Sequence, residues 1–317
     1  MTDSLEVLGS FATVWIVLWF ACAGILSLAY PLLRQSLLRW HPAIAGNLLM
    51  LLLAFPFLLS LSSTLLLFTA AFDSLVSVHC HENCAAHMPI IATPGLAPLG
   101  LLLVTAILLR LAHRLWVNLR LSRRLKCQLE KMADHKAHYE LLDTDKPVVF
   151  TLGWWRNQIY VTRGLQQACS EQDLAVILAH ENAHSRRCDN IRLLIAMLFT
   201  LVLPRKMARL LHDDLHLMVE SACDFEAAKQ FGDLDVAETL LKIQKLSPLQ
   251  WQIGSQVILS AFTGAEIELR IKALIHGRQK SLWQQTGFQA AVLALIMASF
   301  LLVDPLHHGI EELITFF

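Results

Sequence analysis

His180-Glu181-Asn182-Ala183-His184 sets two imidazoles four residues apart, with a carboxylate beside the first. On a helix, residues four apart share a face, so both rings can aim at one point while Glu181 lies on the adjoining flank. Zinc suits that geometry, since it takes two histidine nitrogens and a third protein ligand and keeps one position open for water. Glu181 is then placed to take a proton from that water as general base. Downstream, Glu220 and Asp224 are again four apart, in the run Val219-Glu220-Ser221-Ala222-Cys223-Asp224. Taken alone, Glu220 reads as a helix carboxylate facing water; beside HExxH it reads as the third ligand. Asp224, one turn on, can orient a ligand through a hydrogen bond.

Other residues carry two readings each. His212 and His216 form a stripe with Glu220 at spacing four. Either histidine can replace Glu220 as ligand or stabilise an oxyanion; the plain reading is a polar helix face. Cys188 prolongs the His180–His184 stripe by a turn and Cys223 adjoins Asp224. A thiolate there would bind zinc, but reduced cysteine is commonly a small buried core residue. Between the second and third apolar runs, His79, Cys80, His81, Cys84 and His87 crowd into nine residues. They suit an external soft-metal site, a Cys80–Cys84 disulfide, or neither.

The elements that must hold these groups follow from composition. Of 317 residues 55% are hydrophobic and 16% charged, too apolar for an ordinary soluble domain. Net charge is zero, which gives no case for direct nucleic-acid binding. The acidic start, through Asp3 and Glu6, does not read as a signal peptide, so the first apolar run is taken as a retained span. Four runs reach the ~20 residues a bilayer requires, namely 7–33, 42–72, 88–109 and 281–303. Arg34, Arg39 and the group from Arg110 to Lys131 flank one set of ends; Asp3, Glu6, Asp73, Glu82, Asp304, Glu311 and Glu312 flank the other. The excess of basic residues on cytoplasmic loops then places both termini outside and the HExxH region inside.

The expected architecture is a mainly α membrane protein. Residues 1–116 supply three spans and an external loop near 73–95, 117–280 a cytoplasmic α+β domain, and 281–317 a fourth span with a short external tail. Within that domain a basic amphipathic helix leaves the membrane over 115–132. Two short strands follow, at Pro147–Gly153 and Gln158–Thr162. Ser170 and Asp173 form a capping-box start for the HExxH helix, which runs on past Asp189 into the apolar stretch Leu193–Leu203 and stops at Pro204. A further helix over about 206–231 carries Glu220.

The set His180-Glu181-x-x-His184, Arg187, Asp189, Pro204, Glu220-x-x-Cys223-Asp224 resembles the BlaR/MecR-type membrane metallopeptidases, and more distantly the HtpX and CAAX-processing membrane proteases. The resemblance implies a gluzincin-like fold holding Zn2+ through His180, His184 and Glu220, with Glu181 as base, in the bacterial cytoplasmic (inner) membrane. It implies an edge strand beside the zinc that pairs with an extended substrate, and a last cytoplasmic helix containing Arg270, whose plain reading is a salt bridge. It also implies endopeptidase action on a cytosolic or membrane-proximal protein, with a transcriptional repressor as partner in transmembrane signalling. Relatives that sense β-lactams carry a penicillin-binding domain after the fourth span; with Phe317 as the last residue, that sensor is not expected here. A quality-control protease of HtpX type and a non-catalytic metal-responsive receptor are the alternatives.

Overall fold

The computed structural model describes residues 2–69, 96–154, 157–246, 264–276 and 281–316. The crowded His/Cys stretch from His79 to His87 lies outside them, as do the outer edges of the second and third apolar runs. The chain begins with α1 (Thr2–Leu37), α2 (Pro42–Leu67) and α3 (Leu96–Glu130). A four-stranded sheet follows: β1 (Ala133–His135), β2 (Glu140–Leu142), β3 (Val149–Leu152) and β4 (Gln158–Thr162). Then come α4 (Arg163–Ala168), α5 (Glu171–Arg187), α6 (Asp189–Phe199), a 3-10 turn, α7 (Arg205–Phe231), α8 (Asp233–Leu246), α9 (Gly264–Ile275), α10 (Leu282–Leu301) and α11 (Val303–Phe316).

Four helical segments, Ser4–Leu37, Pro42–Leu67, Leu96–Glu130 and Leu282–Gly309, are long and apolar enough to cross a membrane. Their surroundings differ. The apolar windows of the first two are 44% buried within the protein, those of the last two 11%, which makes α1 and α2 the inner pair. Serines tie α10 to this pair, with Ser62 and Ser299 hydroxyls 2.7 Å apart. Such polar contacts join helices where apolar packing alone gives little preference.

Three features refine or differ from the sequence expectation. The basic segment is helical as expected and continuous with the span before it: with no Pro or Gly after Gly100, α3 runs through it to Glu130. Its 35 residues span about 52 Å at ~1.5 Å each, well beyond a ~30 Å apolar layer. Secondly, β1 and β2 join the two foreseen strands; at three residues each they are too short to show an alternating pattern. The sheet order is β1-β2-β4-β3, so β3 is an edge strand. Thirdly, the HExxH helix does not run on past Asp189. Cys188 adopts a left-handed conformation, φ 54° and ψ 39°, that ends α5 and starts α6 in a new direction. Its exposed side chain is therefore neither a core group nor a continuation of the histidine stripe.

The core joins both parts of the chain. Leu26 and Tyr30 of α1, Leu49 and Leu53 of α2, Leu193 of α6 and Leu211 and Leu215 of α7 form one buried cluster. The apolar stretch after Asp189 is thus core, packed on the inner helices. A polar clamp crosses the same seam: buried Asp214 accepts from Tyr30 Oη at 2.6 Å, Arg34 Nε at 2.6 Å and Arg34 Nη2 at 2.7 Å.

Candidate metal centre

Helix α5 is started by its capping box. Ser170 Oγ accepts from the backbone N–H of Asp173, whose carboxylate accepts from Ser170 N at 2.9 Å. Two fewer donors are left open at the helix entry. Asp173 also receives Lys242 of α8. Burial works against its charge, but Lys242 and Ser170 outweigh that and lower its pKa to about 2. The start of the HExxH helix is thereby pinned to α8.

One turn into the buried half of α5, His180 and His184 present their Nε2 atoms 3.1 Å apart. Helix α7 brings Glu220 to them: Oε2 lies 3.4 Å from His180 Nε2 and Oε1 3.4 Å from His184 Nε2. All three residues are buried. Ligand atoms about a tetrahedral ion with ~2.1 Å bonds lie about 3.4 Å from one another, so the three atoms have the spacing of one shared ion. Both carboxylate oxygens of Glu220 are buried without an aligned hydrogen bond, although Arg270 Nη1 is 3.1 Å from Oε2. A buried carboxylate so placed is costly unless a cation completes it. The donor set of two imidazoles and one carboxylate fits zinc.

Each imidazole is held from behind. Asp224, wholly buried on α7, sits 3.0 Å from His180 Nδ1. It is fixed in turn by Arg270 of α9, whose Nε and Nη2 each donate at 2.6 Å. Asp189, the first residue of α6, sits 3.1 Å from His184 Nδ1 and is flanked by Arg187 and Arg192 at 3.3 and 3.1 Å. Nδ1–H bonds to carboxylates fix the tautomer that leaves Nε2 free to bind metal. Burial opposes protonation of both histidines. It is outweighed by Asp224 and Glu220 at His180, and by Cys223, Glu220 and Asp189 at His184, so both pKa values rise. Burial likewise opposes the charge on Glu220, but His184 and Arg270 hold its carboxyl well below the usual range. A site that draws positive charge onto its imidazoles offers a dication the place of those protons.

Glu181 is buried beside the pair, and Thr151 Oγ1 of β3 donates to its Oε2 at 2.5 Å. Sequence reasoning missed Thr151, which in a short strand looks like any β-branched residue. Asp189 matched the resemblance in position without an assigned task; its task is to hold His184. Arg270 is the buried salt bridge it was read as, and it bears on both Asp224 and Glu220.

The remaining candidates stand apart. His212 and His216 are half-buried on α7 and belong to neither group of potential ligands found among the described residues. Those groups are His180 with His184 and Glu220, and His184 with Asp189 and Cys223. Burial lowers the pKa of His212, with His216 adding to the effect. Cys223 is buried 3.3 Å from His184 Nδ1, on the side of the ring away from Glu220. Burial pushes its thiol up to about 12, and its S–H donates to Asp189 Oδ2 at 3.4 Å. A small cavity lined by Val149, Val176, Ile177, Val236, Leu240 and Ile243 reaches His180 and Glu181.

Residues 116–242 match the family model of Peptidase family M48. The matched region runs from the far end of α3 into α8 and contains His180, Glu181, His184, Glu220 and Asp224. M48 peptidases are metalloproteases and typically zinc-dependent. No curated protein and no solved structure matches the chain.

Proposed function

We propose that this protein is a membrane-embedded, zinc-dependent endopeptidase that cleaves a cytosolic or membrane-proximal protein. The observation that carries this reading is the convergence of His180, His184 and Glu220 on one point, with Glu181 alongside. When bound, zinc supplies Lewis acidity to the attacked carbonyl and to the attacking water. The chain's own groups do the rest. Asp224 and Asp189 orient the imidazoles; Glu181 takes the proton from the attacking water and returns it to the leaving amine. Edge strand β3, which carries Thr151 against Glu181, offers unpaired backbone groups to an extended substrate.

The distribution of Lys and Arg supports an orientation with both termini outside and the peptidase region in the cytoplasm. The likeness to BlaR/MecR-type proteins supports a signalling output, removal of a transcriptional repressor. A direct test compares new protein N-termini in cells carrying wild type or Glu181→Gln, the variant retaining metal. A single repressor fragment lost in Glu181→Gln supports signalling, whereas a broad set of membrane-protein fragments supports quality control. Equal proteolysis by both proteins removes the catalytic reading and leaves the metal-responsive receptor.

A further inference from the structure

The outer edge of β3 is already in part occupied. Thr162 N donates to Val148 O at 3.1 Å, and the register pairs Phe150 with Tyr160 and Leu152 with Gln158. In an antiparallel ladder the inward-bonding residues alternate with outward-facing ones. The backbone groups of Val149 and Thr151 therefore point off the sheet, and the chain turns at Gly153 just beyond it, φ 126°. The buried carboxamide of Asn190, in the first turn of α6, donates through Nδ2 to Thr151 O at 3.3 Å and to Gly153 O at 2.9 Å. It reaches them because the left-handed turn at Cys188 swings α6 away from the axis of α5. Among the described residues nothing comparable holds Val149.

We infer that Asn190 is a specificity-determining residue, a register stop that limits how far a substrate strand can pair along β3. This rests on the peptidase reading and on β3 as the strand the substrate joins. An added antiparallel strand exchanges two bonds with each outward residue. At Val149 it finds both groups. At Thr151 it finds the N–H but must compete with Asn190 for the carbonyl, and at Gly153, where the strand ends, the carbonyl is again taken by Asn190. Substrate residues on the Gly153 side of the cut thus contribute little to binding, and recognition is concentrated on the Val149 side.

The test uses the full-length zinc-loaded protein and unfolded casein as reference substrate. A bond cut by wild type is built into nested peptides, lengthened one residue at a time on each side. For wild type, kcat/KM is expected to rise with length on one side and stay flat on the other. In Asn190→Ala, lengthening the flat side far enough to face both Thr151 and Gly153 should raise kcat/KM about tenfold, the effect of two freed acceptors. Asn190→Asp, nearly isosteric but unable to donate, should behave alike and stands in if the alanine variant does not fold. Affinities of the same labelled peptides for Glu181→Gln, with and without Asn190→Ala, should show the same asymmetry without turnover. Length dependence on both sides in wild type, or an Asn190→Ala profile that is unchanged or uniformly lowered, overturns the inference and leaves the peptidase reading intact. Failure of wild type to cut casein or any nested peptide overturns both.

Discussion

Replacing Asp224 by Asn changes one buried atom from acceptor to donor, and the surrounding geometry sets the cost. The carboxylate faces three donor atoms: His180 Nδ1 at 3.0 Å and Arg270 Nε and Nη2 at 2.6 Å each. An amide offers one acceptor oxygen and one NH2, so at least one existing donor must face another donor. Asp224 Oδ1 serves both His180 Nδ1 and Arg270 Nη2, and Oδ2 serves Arg270 Nε. Where the amide oxygen takes the Oδ2 place, His180 loses the bond that fixes its tautomer, and Nε2 becomes the protonated nitrogen in that part of the population. Loss of such a partner behind a ligating histidine typically costs 10- to 100-fold in metal affinity, about 1.4–2.7 kcal/mol. Competition with a chromophoric zinc chelator on purified protein at pH 7 measures this, with thermal melting of the metal-free form showing that the fold persists. Arg270→Met alone should do worse for the fold, by about 3–5 kcal/mol, because it strands two buried carboxylates. Adding Asp224→Asn to Arg270→Met removes one stranded charge and should recover part of that loss. Zinc affinity of Asp224→Asn within twofold of wild type would refute the account of how His180 is held.

Three further outcomes follow from named contacts. Thr151→Val keeps the strand but removes the hydroxyl that donates to Glu181 Oε2; kcat should fall about tenfold with metal content unchanged, and Thr151→Ser should restore it. Asp173 has its pKa lowered to about 2, so its contribution to stability is present above the unfolded value near 3.8 and lost as pH falls through about 2. The melting-temperature gap between wild type and Asp173→Asn should accordingly be full at pH 6 and close toward pH 2. A double-mutant cycle of Tyr30→Phe and Asp214→Ala, read by thermal unfolding in detergent, should give a coupling of about 1–2 kcal/mol, because a buried hydroxyl and a buried carboxylate satisfy one another at 2.6 Å.

What could be read from the sequence was whatever depends on helical period. His180 with His184 and Glu220 with Asp224 are pairs at spacing four, and a helix places such pairs on one face regardless of tertiary context. The apolar runs were equally plain, because a bilayer demands length and lack of charge. Groups brought in from non-periodic backbone were not legible. Thr151 reaches Glu181 only because β3 passes beside α5, a meeting between residues 30 apart in sequence. Asp189 and Asn190 take their places through the left-handed turn at Cys188, where no glycine or asparagine marks the position. The run Arg186-Arg187-Cys188-Asp189 holds only the weak boundary signal of basic residues before an acidic one, with no glycine or proline, so the continuous helix expected there gave way to two.

The buried cluster shared by α1, α2, α6 and α7 bears on when the metal centre can form as the protein is made. Leu211, Asp214 and Leu215 lie within three turns of Glu220 on one helix, and their partners are residues of the two inner helices. Among the described residues, the ligand-bearing helix packs directly on those two. A ribosome-bound or uninserted chain, lacking the mutual packing of α1 and α2, therefore has no seat for α7. It cannot deliver Glu220 to the histidines. Assembly of the two inner helices is thus a precondition for placing the third potential ligand beside the other two.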